Sequence, residues 1–537
     1  MQTSTHRPDD QVFLHSTTKL EPLAFRWYAW PHLLPPLQHA LNMAFRHIPL
    51  LQSFLTNPSA HVRAAADLRL LGGPFIDVPS SEVEQLRSLL QDTQERGRQL
   101  LELANEFKEY DRQLQAGATG SSMDEFYSQL PQSLRGCVEL AYDLNNHPSI
   151  RTIEDLLYEE SSGQGAGQEL CLTSVGDAAR KFFLTTPRIE DARALFLRMS
   201  FLDPRIDVLS SMRTTPLSRG VVLERLGLDH PGLENAIQPF LTSTPPQRRS
   251  PDFSGSGIRV RHFGHACVLL QTASTSILID PLTALERDDE LATLTFHDLP
   301  DYCDFVVFTH AHMDHFCPEM ILQLRKRVGR FIVPRSNPGD VADPSMRLML
   351  KALGACNVTT LEPFESVETP DGQITSLPFP GEHCGLGVAS KQSLLINLLG
   401  KQFLFLVDSD AVDSELYIKL SKRVGAVDAL FVGMECRGSP LTWFYGPLLT
   451  RPISRKADES RRGNASNCQR AWNAIKHITC PQIFVYAMGN EPWNRHLLGL
   501  EYSPTSVQIT ESTELVNTCL AAGRRAERLR GCREMHF

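Results

Sequence analysis

The sequence predicts two regions of different class, a mostly helical N-terminal domain over residues 1–241 and an α/β domain of stacked sheets with outer helices over residues 258–537. Three observations predict this: a change of hydrophobic texture near residue 250, a linker composition at 242–257, and a cluster of metal-ligating side chains downstream of it. A chain of 537 residues accommodates about two to four domains of ordinary size.

The linker is TSTPPQRRSPDFSGSG, with three prolines, two glycines and four serines and little apolar content. Prolines deny regular hydrogen bonding, and nothing in the segment can bury a face. Upstream, Ser81 and Glu84 have capping-box spacing. Val83, Leu86, Leu90, Leu100, Ala104 and Phe107 follow at near-helical spacing, so a helix is predicted over 81–110. Gly97 interrupts it at a cost of about 1 kcal/mol relative to Ala. Residues 191–202 and 216–226 are also predicted helical. Nothing in 1–241 has catalytic spacing, which implies a structural or oligomerising role.

Downstream, short apolar or β-branched runs predict strands at 258–260, 266–271, 276–279, 305–308, 330–333, 393–398, 402–407, 429–432 and 483–486. Helical patterns fall between them at 318–328, 414–424 and 467–477. Interleaving of this kind is the signature of an α/β domain.

Composition excludes several classes. Hydrophobic residues make up 42% and charged residues 21%, the balance of a globular chain. A net charge of −9 argues against a nucleic-acid partner. Runs such as 394–399 and 403–407 are too short to span a bilayer. The opening MQTSTHRPDDQ lacks a charged-then-apolar signal pattern, so no export is expected. Twelve scattered cysteines without a Cys-x-x-Cys pair read as reduced thiols in a cytoplasmic protein.

The most informative segment is Thr309-His310-Ala311-His312-Met313-Asp314-His315, between the strand DFVVF and a helix opening on Pro318. Alternation in an extended backbone sets His310 and His312 on one side, able to grip one ion. A following turn lets Asp314 and His315 face a second. Imidazole and carboxylate are ordinary ligands of divalent transition metals.

This segment resembles the metal-binding motif of the metallo-β-lactamase superfamily, with support from RHFGHACVLLQ and from SILIDP, which carries Asp280. The resemblance covers roughly 258–510 and implies an αββα sandwich. It also implies two further ligands, one in PFPGEHCGLG and a bridging carboxylate in FLFLVDSDA, at Asp408. Where a hydrolase of this superfamily offers a His after a glycine, this chain has Gly381-Glu382-His383. With Glu382 as ligand the site holds three imidazoles and three carboxylates, as in di-iron carboxylate proteins.

That substitution, the long N-terminal region and the overall length make the chain similar to the chloramphenicol-pathway β-hydroxylase family, di-iron monooxygenases on a metallo-β-lactamase fold. The resemblance implies two iron ions held by His310, His312, Asp314, His315, Glu382 and Asp408. It further implies O2 as co-substrate, an external two-electron donor, and β-hydroxylation of an amino acid held as a phosphopantetheine thioester on a carrier domain of a nonribosomal peptide synthetase. A homodimer through the N-terminal domain, or carrier docking by it, goes with the same resemblance. No side chain beyond the ligands is required as acid or base.

Some positions stay open. His383 is the alternative ligand to Glu382, and with it goes a di-zinc lactonase or thioesterase in which a metal-bound hydroxide attacks a carbonyl. A decayed, non-catalytic scaffold is the third reading. The superfamily's last His has no clear counterpart; Glu491 and His496 are the candidates, or the position is vacant. His262 and His265 read as packing or supporting residues, and Asp280 as an acceptor that orients ligand imidazoles. Between the Asp408 strand and the last one lie Trp443, Phe444 and Tyr445, then Arg451, Arg455, Lys456, Arg461 and Arg462. They read either as a lid with basic residues for an acidic carrier, or as a packed aromatic cluster with a solvated loop.

Overall fold

The computed structural model describes residues 10–537 apart from 68, 69, 71, 161–164, 166, 229, 230 and 289. The stretch 1–9, most of the opening segment considered above, lies outside the described residues.

Residues 258–537 build two seven-stranded mixed sheets face to face. The first runs, edge to edge, Val358–Leu361, Val328–Pro334, Cys303–Val307, Ser276–Ile279, Cys267–Gln271, Arg259–Gly264 and Arg533–His536. The second runs Ser366–Thr369, Gly372–Leu377, Ser393–Leu398, Lys401–Val407, Ala429–Gly433, Gln482–Tyr486 and Arg525–Arg528. Strand alternation assigns each residue to a layer. Val268, Ile277, Val307, Phe403, Phe405 and Phe431 point between the sheets and form one core. Leu404, Leu406, Leu430 and Val432, one step out of phase, pack on helices Ser414–Val424, Cys468–Ile475 and Val507–Ala521. The result is the αββα sandwich.

The outer face of the first sheet is not left to its own helices. Leu269, Leu278, Val306 and Phe331 join a core that continues through Trp27, Leu41, Phe54 and Phe107 of the N-terminal region. That region is helical over Pro36–Asn42, Ile48–Thr56, Pro58–Ala65, Val83–Arg96 and Arg98–Gly117, with a four-stranded sheet formed by Trp27–Tyr28, Lys19–Ala24, Gln168–Thr173 and Ala194–Arg198. Buried ion pairs fasten it to the helix Pro318–Leu324: Arg180 meets Glu319 at 2.5 Å and Glu21 at 2.7 Å, and Tyr28 donates to Glu319 at 2.9 Å.

Three local expectations are corrected. The segment 191–202 is not helical: Ala194–Arg198 is a strand whose Leu195 and Leu197 are buried in alternation while it pairs with Gln168–Thr173. The helix over 81–110 is two helices parted at Gly97, where a Cβ would sit 2.7 Å from the Met43 sulfur. Its capping box does not form, because the Ser81 hydroxyl turns to Glu82 Oε1 at 3.2 Å. Between Thr242 and Arg259 no regular element forms, as a linker composition requires. The segment is nevertheless fastened to the sandwich through Arg249 N–H on Asp298 (2.6 Å) and Arg248 Nε on the His297 carbonyl (2.9 Å).

Candidate metal centre and cavity

The motif loop leaves the strand Cys303–Val307 and turns at once, with the N–H groups of His315 and Phe316 both donating to the His312 carbonyl (3.1 and 2.7 Å). Gln392 ties this loop to the second sheet, donating to the carbonyls of Thr309 and Phe308 at 2.8 and 2.9 Å. The imidazoles therefore project where the two sheets open, outside the carboxyl ends of parallel strands.

Three groups of donor atoms form there, each with all atoms within 4.8 Å: His310, His312 and Glu382; His310, His315 and Asp408; His265, Asp314 and His315. Within them, His312 Nδ1 lies 2.6 Å from Glu382 Oε1 and His315 Nε2 lies 2.9 Å from Asp408 Oδ2. His310 Nε2 lies 4.0 Å from Glu382 and 3.9 Å from Asp408. The structure thus brings together all six residues anticipated as ligands, on two adjoining sides.

Hydrogen bonds decide which nitrogens face inward. Asp280 sits 2.8 Å from His315 Nδ1 and also accepts from the Thr309 N–H (2.8 Å) and hydroxyl (2.6 Å). With its proton spent on Asp280, Thr309 Oγ1 accepts from His310 Nδ1 at 3.0 Å. Both imidazoles then carry their proton on Nδ1 and direct an Nε2 lone pair into the site, the orienting role a carboxylate plays behind metal-bound histidine. His265 is fixed in the opposite sense: Gly489 N–H donates to its Nδ1 at 3.0 Å, which leaves Nε2–H toward Asp314 Oδ2 at 3.0 Å. His265 holds Asp314 in place. His262 spends Nε2 on the His265 carbonyl at 2.9 Å.

The backbone is forced at these positions. His265, Asp280, Glu382 and Val407 all have positive φ, between 42° and 66°. For a β-branched residue such as Val407 this is a genuine outlier, and it coincides with a register shift between Phe405 and Val407 that turns Asp408 into the site. Two glycines make the approach possible. At Gly381, φ is 83° and a Cβ would meet the Asp410 Cβ at 2.5 Å; at Gly433 a Cβ would lie 2.3 Å from Asp408 Oδ1.

Do these residues fit a metal pair? Nε2 of His310, His312 and His315, Oε2 of Glu382 and Oδ1 of Asp408 are all buried without an aligned hydrogen bond, although His315 Nε2 stands 2.9 Å from Asp408 Oδ2 and Glu382 Oε2 2.6 Å from His383 Nδ1. Leaving one such atom unsatisfied costs about 1–3 kcal/mol, so five in one spot point to a bound cation. Burial raises the Glu382 carboxyl, but His312, His383 and His310 bring it well below the usual carboxylate range. Burial opposes charge on His315, and Asp314, Asp408 and Asp280 overcome it. The donor set of imidazoles and carboxylates suits iron or zinc, and the three carboxylates offset most of a +4 charge.

The remaining candidates lie nearby or elsewhere. His383 Nδ1 is 2.6 Å from Glu382 Oε2, its ring stacks on His312 (4.6 Å), and burial holds its imidazole down at about 4. It joins none of the three donor groups. Glu491 accepts from the His265 N–H at 2.9 Å and His496 Nδ1 lies 2.9 Å from the Trp493 carbonyl, so neither reaches the cluster.

A cavity of about 930 Å³ opens on the cluster, with His312, Asp314, Glu382 and Asp408 on its floor. Trp443 and Phe444 line it from the helix Leu441–Tyr445, Phe444 stacked on His312 at 5.1 Å; Tyr445 packs behind, against His32. Arg461 donates to the Cys384 carbonyl in the Glu382 loop and Arg462 to the Gly438 carbonyl, while Arg451, Arg455 and Lys456 are exposed. The opposite wall comes from the N-terminal region, through Phe45, Arg46, Leu50 and Phe75. No sequence pattern marked these residues. Glu435 was also missed. It follows the strand Ala429–Gly433 as Asp408 follows its neighbour, and position at the carboxyl end of a central parallel strand was the available signal. Burial together with Asp408, Asp314 and Glu382 pushes its carboxyl well above the usual range.

Comparison with known proteins accounts for both halves. Residues 13–245 match the family described as diiron non-heme β-hydroxylase N-terminal domain, and residues 275–440 match the β-lactamase superfamily domain. The chain is 31% identical over 524 residues to the 4-amino-L-phenylalanyl-[CmlP-peptidyl-carrier-protein] 3-hydroxylase of Streptomyces venezuelae, covering 96% of this chain and 98% of that protein. Its fold is similar to the crystal structure of CmlA, a diiron β-hydroxylase from the same organism, with a TM-score of 0.91, 29% identity, and coverage of 98% and 99%. A mutant of that enzyme matches with a TM-score of 0.89.

Proposed function

The chain belongs to the diiron non-heme β-hydroxylase family, and from that premise we propose that it hydroxylates the β-carbon of an aminoacyl group carried as a thioester on a peptidyl carrier domain in nonribosomal peptide biosynthesis. The observation that carries the assignment of residues is the buried set of unpartnered donor atoms on His310, His312, His315, Glu382 and Asp408, completed by Asp314. These six residues hold two iron ions, which when bound supply O2 activation with two electrons from an external donor.

The protein's own part is positioning and exclusion. Asp280 and Thr309 fix the tautomers of His315 and His310, and His265 fixes Asp314. Phe444, Trp443 and the N-terminal wall enclose the aminoacyl group and keep water from the reacting carbon. A tethered substrate suits a cavity of this depth, since the arm delivers one amino acid at high effective concentration. The exposed Arg451, Arg455 and Lys456 present positive charge to the carrier. The N-terminal domain (1–241), joined through 242–257 to the catalytic domain (258–537), both closes the cavity and pairs two chains into a homodimer. Among the described residues no helix is long and apolar enough to cross a membrane, and all twelve cysteines are free, in keeping with a cytoplasmic enzyme.

The test is to offer iron-loaded protein, reductant and O2 a panel of aminoacyl-loaded carrier domains. The expected product gains one oxygen at the β-carbon, read by mass spectrometry and NMR. Release of the free amino acid by thioester cleavage, without oxygen gain, would contradict it.

A further inference from the structure

One group in the cavity is not used by the reading above. Glu435 lies two residues beyond the strand Ala429–Gly433, whose Val432 pairs with the Val407 that precedes Asp408. It lines the cavity beside His312, Asp314, Glu382 and Asp408, and it is the one acidic lining residue outside the three donor groups. Among the described residues no hydrogen bond or ion pair reaches its carboxylate; Asp408, Asp314, Glu382 and His315 are its charged neighbours. The two lining arginines on the same side are directed elsewhere, Arg437 toward Glu459 at 3.9 Å, and Arg462 to the Gly438 carbonyl at 2.7 Å and Glu459 at 2.5 Å. In the reading above Asp314, Glu382 and Asp408 are taken up by the metal pair, which leaves Glu435 as the acidic group on the cavity wall with no assigned partner, placed to meet a cation that arrives with the ligand.

The substrate class brings one. An aminoacyl thioester carries an α-ammonium two bonds from the β-carbon, so any pose that sets the β-carbon against the metal wall brings the nitrogen close to that wall as well. We propose that Glu435 binds the α-ammonium of the carrier-bound aminoacyl group, so that the enzyme takes thioesters with a free amine and rejects those whose nitrogen is acylated. An amide nitrogen has no charge and adds an acyl group where the carboxylate stands. Hydroxylation then precedes the condensation that acylates this nitrogen: the reaction supplying the substrate is aminoacylation of the carrier, and the reaction consuming the product is peptide-bond formation.

This inference rests on the hydroxylase reading, and one experiment separates the two. Iron-loaded protein without reductant is titrated with phenylalanyl-loaded and N-acetylphenylalanyl-loaded carrier domain, and binding is read by calorimetry; hydroxylation of both is then read after reduction. The wild type is expected to bind the free-amine form at least about 10-fold more tightly, as a polar site does against a partner lacking the matching group. In Glu435→Gln the preference should fall to about twofold or less with two irons retained, and Glu435→Asp should keep its sign. Equal binding of both forms by the wild type, an undiminished preference in Glu435→Gln, or loss of an iron in that variant would each overturn the inference, the last by making Glu435 a metal ligand. Hydroxylation of both forms with equal binding sinks the inference alone; absence of hydroxylation with either form sinks the functional reading and the inference with it.

Discussion

The two walls of the cavity are made by different means. The floor is built from strand ends of the sandwich, where His310, His312, Asp314 and His315 share one six-residue loop and Glu382 and Asp408 come from the facing sheet. Its precision comes from local devices: an Asp280 that orients two imidazoles, a left-handed Val407, a Gly433 that leaves room for a carboxylate. The opposite wall is apolar and comes from a region that shares no local pattern with the floor. It is held in place by packing and by a buried charge network, Glu21, Arg180, Arg188 and Glu319, on the helix that continues the metal loop. Four of the six candidate ligands lie in one six-residue loop, whereas the network that seats the enclosing wall draws on residues as far apart as Glu21, Arg188 and Glu319.

That contrast can be broken at several points. Asp408→Ala should leave at most one iron and lower hydroxylation by at least about 100-fold, since even supporting partners of metal ligands cost about 10–100-fold; metal analysis and product yield check it. On the other wall, Arg180→Met leaves Glu319 buried with the Tyr28 hydroxyl as its one remaining partner, while Glu21 keeps Arg188. Breaking a buried pair costs about 3–5 kcal/mol, so the melting temperature should fall sharply while every donor atom of the floor remains. Asp280→Asn sharpens the comparison within the floor: all six donors stay, but the tautomers of His315 and His310 are no longer fixed. Iron affinity should fall by about 10–100-fold in a chelator competition. Phe45→Ala, at a part-exposed position of the enclosing wall, should leave two irons in place and lower kcat/KM by about 3–10-fold, mainly through KM.

The smallest effect is a pH dependence of the seam between the regions. His297 is buried beside Arg213 of the N-terminal region, and burial first, then Arg213, holds its imidazole down at about 3. Below the unfolded value of 6.5 the unfolded chain takes up a proton that the folded chain refuses. This stability is full well above pH 6.5 and is lost as the pH falls toward 3, by about 1.4 kcal/mol at pH 5.5. Denaturant titrations at pH 5.5 and 7.5 should show this difference, and His297→Gln should reduce it.

The same contrast explains what could be read from sequence. Most strands of the sandwich were legible because both their faces are buried, which makes runs such as Ser393–Leu398 and Lys401–Val407 nearly continuous in apolar residues. The edge strands Ser366–Thr369, Arg525–Arg528 and Arg533–His536 were not, since their exposed residues are polar and pairing alone makes them strands. The motif residues were legible as a local pattern, Glu382 and Asp408 only through the family resemblance, which implies a ligand after each of two strands. His265 read as a packing or supporting residue, and its supporting role was left open because its partner Asp314 is 49 positions away and only the fold joins them. Ala194–Arg198 was misread as helix, because its neighbour Gln168–Thr173 decides its conformation. The enclosing wall was illegible for the same reason: Phe45, Leu50 and Phe75 are ordinary apolar residues until the charge network seats them over the metal loop.

The most direct test of the central claim is the metal content of protein expressed with iron and zinc both available, read together with its absorption spectrum. The account predicts close to two irons per chain with carboxylate-bridged ferric bands, both lost in Asp408→Ala. Two tightly held zinc ions without a chromophore, in a protein that stays inert toward O2 and aminoacyl carriers after iron reconstitution, would contradict it.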